Sequence, residues 1–156
     1  MIFIPYTEAN YETATSYLSI ADADDLISGQ NNNTSWNGYA DAVKQILLNQ
    51  SSLAVDSAFM YQGVKISEAQ MLKFPRMEYG ADSLLASKVL QNNVKFAVVM
   101  MCLQYSNDKA FKNITSETIS KLSWSFANSE SEVGSEIYTF LKPLQAKTVR
   151  LGTRNE

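Results

Sequence analysis

Apolar residues recur every three or four positions over most of this chain, a spacing that predicts a mainly helical fold. Ile20, Ala23 and Ile27 fall on one face of a short first helix. Ser19 can cap it, and Asp22 sits at its third position, where an acid also complements the helix dipole. Gly29 and the Gln30-Asn31-Asn32-Asn33 run end it. Thr34 or Ser35 opens a long second helix, in which Trp36, Tyr39, Ala40, Val43, Ile46, Leu47, Ala54, Val55, Ala58 and Phe59 keep the period. Its one polar lapse is Gln50, and it should stop near Gly63. Asp82 caps a third helix running to about Ser106, with Leu85, Val89, Phe96, Val99, Met100 and Leu103 as its stripe. The C-terminal half of that helix is apolar nearly all round, which predicts the central helix of a bundle. The second and third helices are similar in length and suit an antiparallel pair.

Elsewhere the period changes. Residues 1–18 lack helical spacing and contain Pro5, so an extended arm is expected. The stretch from Gly63 to Gly80 reads as a connector, because Pro75 disfavours helix at Phe74; Glu68 to Leu72 would form one helical turn within it. Leu122, Trp124 and Phe126 alternate with Lys121, Ser123 and Ser125, a period of two that predicts a strand. A strand needs a partner for its backbone groups, either Phe111 to Ile114 or a strand from a neighbouring chain. Ser129 and Glu132 form a capping-box pattern before a last helix with Val133, Ile137, Tyr138, Phe140 and Leu141, closed by Pro143. The expected architecture is a mainly α helical bundle on two long antiparallel helices, with a short β-strand or hairpin. The organisation reads as an N-terminal arm (1–18), a helical domain (19–142) and a C-terminal docking tail (143–156).

Charge adds one asymmetry. The net charge is −3, yet from Lys142 onward Lys142, Lys147, Arg150 and Arg154 oppose only Glu156, so this end carries +3 and the rest −6. An acidic body does not attract nucleic acid in general, since phosphate binding depends on Lys and Arg; only the tail has the right sign. The charged fraction of 19% is below the roughly 25% usual for soluble domains, which suits faces covered by neighbours and a plain low-charge globule equally. Cys102 lies in the apolar run Ala97 to Leu103 and reads as a buried, inert thiol. The opening Met1-Ile2-Phe3-Ile4-Pro5 is too short for a signal peptide, and no apolar run approaches the ~20 residues of a membrane span. A soluble, intracellular product is expected.

The chain has no histidine, which removes the commonest general base and the commonest metal ligand. Its six glycines, at 29, 38, 63, 80, 134 and 152, are too scattered for a dinucleotide turn or a P-loop. Asp22, Asp24 and Asp25 lack the glycine and closing glutamate of a calcium loop, and acids are favoured in a first helical turn. No catalytic residue, cofactor or metal is expected, and the protein reads as a non-enzyme. Phe74-Pro75-Arg76 places an aromatic beside a guanidinium, residue types enriched at interface centres. The alternative is structural, with Phe74 in the core and Arg76 paired with an acid such as Asp56. The basic tail with Lys147, Arg150 and Arg154 suits a docking arm better than a single-strand binder, because it lacks stacking aromatics. The strand residues Leu122, Trp124 and Phe126 complete the candidate interface set.

Several steps resemble a known family in their order. Ser16-Tyr17-Leu18-Ser19 precedes an Ala21-Asp22-Ala23 helix, and Trp36 starts a long helix with Val55-Asp56 late in it. Tyr61-Gln62-Gly63-Val64-Lys65 and Leu72-Lys73-Phe74-Pro75-Arg76 follow. Over about residues 16–105 the chain resembles tailed-bacteriophage head–tail connector, or head-completion, adaptors, some labelled "DnaT-like single-stranded DNA-binding protein". The resemblance implies a virion protein of the neck, made in the host cytoplasm. It would form a homo-oligomeric ring, commonly twelvefold, between the portal protein and a tail or nozzle protein, with passing contact to genomic DNA. The alternative the label implies is a single-stranded DNA-binding protein of a phage.

Overall fold

In the computed structural model, residues 2–58, 60–77, 90–107 and 135–146 are described, and among them the fold is mainly helical. The elements in order are α1 (Ile20–Ser28), α2 (Thr34–Asn37), α3 (Asp41–Ala58), β1 (Val64–Lys65), β2 (Arg76–Met77), α4 (Asn92–Asn107) and α5 (Ser135–Leu141). A 3-10 turn, Lys142–Leu144, follows α5. The Asp82 cap, the strand containing Leu122, Trp124 and Phe126 with its partner at 111–114, the Ser129/Glu132 capping box and residues 147–156 lie outside the described residues. No described helix is long and apolar enough to cross a membrane.

α1 forms as its sequence dictates. The Ser19 hydroxyl accepts the Asp22 amide at 3.1 Å, Ala23 and Ile27 are buried, and Gly29 closes the C-terminus. The long second helix is instead two. Gly38 donates to the Thr34 and Ser35 carbonyls at 3.3 and 3.2 Å, ending α2. A new helix starts when Val43 and Lys44 donate to Ala40 at 2.9 and 3.1 Å. Glycine loses the most backbone freedom on helix formation, so Gly38 is the weak point. The two pieces are tied through a partly exposed acid, because Asp24 accepts both the Trp36 indole N–H at 2.7 Å and the Lys44 ammonium at 2.8 Å.

α4 begins at Asn92, with Leu90 and Gln91 outside the helix, so no continuous helix runs from Asp82 to Ser106. Asparagines compete with helix by bonding nearby backbone, which favours helix starts over interiors. α4 packs against α1, α2, α3 and α5, the central position its all-round apolar half predicts. The Tyr39 hydroxyl meets the Ser106 carbonyl and Ser51 meets Cys102, so α3 and α4 run antiparallel. Leu48 of α3, Val94 and Val98 of α4, and Ile137 and Leu141 of α5 are buried in one common core. Each such side chain contributes roughly 1.5–3 kcal/mol on burial.

Residues 2–18 contain no helix, yet they lie against α3 rather than apart from it. The segment doubles back, with Pro5 bridged to Ser16 in parallel, and its second half contacts polar side chains of α3. The Thr15 hydroxyl donates to Asn49 at 3.0 Å and the Tyr17 amide donates to the Ser52 hydroxyl at 3.0 Å. Asn49, Ser51, Ser52 and Asp56 are thus polar but at most 7% exposed. Polar residues on this face of α3 receive donors from another segment instead of water.

Candidate nucleic-acid interface

Where α3 ends, the connector from Met60 to Met77 folds into a loop closed by a two-residue antiparallel ladder, Val64 with Met77 and Lys65 with Arg76. The helical turn expected at 68–72 is a hydrogen-bonded turn instead, with Gln70 donating to Ser67 at 3.2 Å. Strands this short carry no detectable alternation, so the hairpin is invisible to a periodicity test.

The loop is fixed to the body by a buried circuit. The Tyr17 hydroxyl donates to one oxygen of Asp56, and the Lys73 amide donates to the other at 2.9 Å. The Phe74 amide in turn donates to the Tyr17 oxygen at 3.0 Å. The Tyr61 hydroxyl donates to the Val55 carbonyl, and Phe74 lies edge-on to Tyr61 with ring centres 4.7 Å apart. Phe74 and Pro75 are buried, joined by a cis peptide bond. Met71 donates to Glu12, which stitches the loop to the N-terminal segment as well.

Arg76 does not pair with Asp56. Its Nε donates to the Gln62 carbonyl at 2.7 Å and its Nη2 to the Gly63 carbonyl at 2.5 Å. No carboxylate among the described residues lies within ion-pair distance of it, because Asp56 is already taken by the Tyr17 and Lys73 donors. Gly63 has a φ of 74°, a left-handed value that glycine adopts without penalty. Arg76 therefore clamps the turn while leaving its charge uncancelled by a described acid.

Burial pushes the Asp56 carboxyl up to about 6, against the opposing pull of the Tyr17 hydroxyl, the Lys73 amide and the nearby Lys73 and Lys65 charges. Burial and the Asp56 charge also push the Tyr17 and Tyr61 hydroxyls well up, so both stay protonated. Among the described residues no group of three or more His, Cys, Asp or Glu side chains could hold a metal ion. Cys102 is fully buried and its thiol is pushed up to about 12 by burial, so it is inert.

The outer rim is cationic. Lys65, Lys73 and Arg76 face one acid, Glu68, within residues 60–77. The Lys65 ammonium bonds the Gln70 carbonyl at 2.8 Å, and Lys73 lies 5.7 Å from the Tyr61 ring centre. Met60 and Met71 stand 78% and 62% exposed beside them. The chain following the 3-10 turn runs along the same edge: Gln62 donates to Leu144 at 2.9 Å and Ala146 donates to Met60 at 2.7 Å. The basic sequence 147–156 thus continues from a point fixed to the hairpin.

Residues 5–154 match the family described as "Putative DnaT-like ssDNA binding protein". The chain belongs to this DnaT-like family. No curated protein and no solved structure matches it. The match corrects the expectation of a bacteriophage virion protein, because the family is described as DnaT-like and not as a head–tail connector. The adaptor, neck, head-completion, portal-binding, ring and viral-assembly roles are set aside with it. Of the expected interface residues, Phe74 and Pro75 are interior and Arg76 sits on the rim, while Leu122, Trp124, Phe126, Lys147, Arg150 and Arg154 lie outside the described residues. No periodicity or motif in the sequence assigns a role to Tyr17, Tyr61, Lys65 or Lys73, and Asp56 stands out there only as a candidate partner for Arg76. All five stand within the steps that carried the family resemblance, and of them Tyr17, Asp56 and Lys73 bond one another in the circuit, while Lys65 bonds the Gln70 carbonyl.

Proposed function

We propose that this protein binds single-stranded DNA through the cationic hairpin rim and the basic C-terminal sequence, without enzymatic activity. The observation that carries the reading is the pairing of residues 144–146 with 60–62, which joins two basic segments at one edge of an otherwise acidic molecule. The family description points to the same ligand. A local patch on a body of opposite sign gives modest affinity, because only the rim and tail neutralise phosphate. Six cations contribute directly: Lys65, Lys73, Lys142, Lys147, Arg150 and Arg154. Arg76 holds the turn, its donors taken by carbonyl oxygens, and is not counted among them. Exposed Met60 and Met71 offer bases apolar contact rather than aromatic stacking, so base preference is weak.

The test is fluorescence anisotropy of labelled oligo(dT) with the full chain across a salt series. Binding should weaken as salt rises, with a log–log slope no steeper than about −4 at ~0.7 per phosphate neutralised. Replacing Lys65 and Lys73 together by alanine should weaken binding and flatten the slope by about 1–2. No anisotropy change at low salt, or wild-type binding by the double variant, would refute the reading.

A further inference from the structure

The Tyr17–Asp56 pair links three segments distant in sequence and, with the Tyr61–Val55 bond, attaches the rim to α3. Tyr17 comes from the N-terminal segment, Asp56 from the last turn of α3, and Lys73 and Phe74 from the connector. The groups facing Asp56 are Tyr17, Tyr61 from the turn after α3, and Lys65, Lys73 and Arg76 from the hairpin. Ionised Asp56 has an acceptor for each donor aimed at it, but it is only 7% exposed, and the loss of hydration outweighs those bonds. Lifting the loop from α3 would return Asp56 to water.

We propose that Tyr17 and Asp56 form a proton-linked latch that sets how firmly the cationic hairpin is held on α3. The latch stands on the hairpin's attachment alone; its consequence for DNA rests on the binding role proposed above. In the closed form the carboxyl titrates near 6, against an ordinary 3.8 once released. Closure therefore takes up a proton. Its contribution is complete below the released value and is lost as pH rises through the closed value. Between about pH 8 and about pH 5 the opening equilibrium constant should fall roughly tenfold.

The experiment is hydrogen exchange of the full chain across that range, read at the Lys73 and Phe74 amides and corrected for intrinsic rates. These amides should exchange faster than those of α4, marking local opening, and gain about tenfold protection at the acid end. Asp56→Asn should abolish the pH step. Tyr17→Phe should move its midpoint upward, because the lost hydroxyl stabilised the charged carboxylate, an effect that loss of packing alone does not produce. A flat wild-type profile, a step that survives Asp56→Asn, or Lys73 and Phe74 amides protected to the same degree as α4 overturns the latch. Should Asp56→Asn fail to fold, the wild-type profile and the Tyr17→Phe midpoint still decide. Oligo(dT) affinity measured alongside should follow the amide step. A chain that shows the step but binds no oligonucleotide keeps the latch and removes the DNA reading.

Discussion

Arg76 is held by carbonyl oxygens, and that choice of partners makes the residue irreplaceable by another cation. Its planar fork reaches Gln62 and Gly63 at once, whereas a lysine ammonium presents a point charge that cannot span both in the same geometry. Arg76→Lys should cost about 1–2 kcal/mol, seen as a lower urea midpoint at unchanged slope. An unaltered midpoint would mean the clamp is weak. Gly63 is a second fixed point, since its φ of 74° disfavours any side chain with a Cβ. Gly63→Ala should destabilise by about 1–2 kcal/mol in the same assay, the cost of a left-handed backbone for a residue with a Cβ.

At the scale of elements, α3 teaches the most. Its stripe predicts which face is apolar, but Asn49, Ser51, Ser52 and Asp56 are buried too, because the N-terminal segment and Cys102 bring polar groups to them. A polar position in a helix pattern is ambiguous: water or a donor from another segment satisfies it equally well. Ser52→Ala would improve helix propensity yet leave the Tyr17 amide without its acceptor, for a loss of about 1–3 kcal/mol. Thermal denaturation showing a gain instead would sink this account of the N-terminal segment. Ser19→Ala on α1 should cost about 1 kcal/mol for the lost cap, a result the sequence alone already predicts. The division of the second helix at Gly38 was less legible, since apolar spacing continues across the break through Tyr39 and Ala40.

Two carboxylates make the whole molecule respond to pH in opposite ways. Burial pushes Asp24 up, but Lys44 and the Trp36 indole outweigh it and the net shift is downward. Its contribution is present at neutral pH and is lost as the solution becomes strongly acidic. Asp56 is shifted upward to about 6, so its contribution is complete below the ordinary value and disappears as pH rises through 6. For Asp56 the swing is on the order of 3 kcal/mol. The melting temperature should therefore peak in mild acid, and Asp56→Asn should remove the decline between about pH 5 and about pH 7. A wild-type maximum at neutral pH would contradict the burial of Asp56 as the governing effect.

Local spacing was sufficient for the helical class, for the capped α1, for the central place of α4 and for the buried thiol of Cys102. Each of these depends on residues within a few turns of one another, where period and capping chemistry act directly. The circuit of Tyr17, Asp56, Lys73 and Phe74, the carbonyl clamp of Arg76 and the meeting of the C-terminal chain with Met60 came only from folding. They join residues that lie far apart along the chain, and a periodicity records which side of an element is apolar without recording what will be placed against it. Hydrogen-bond donors and acceptors find their partners only once the core has set the distance between them.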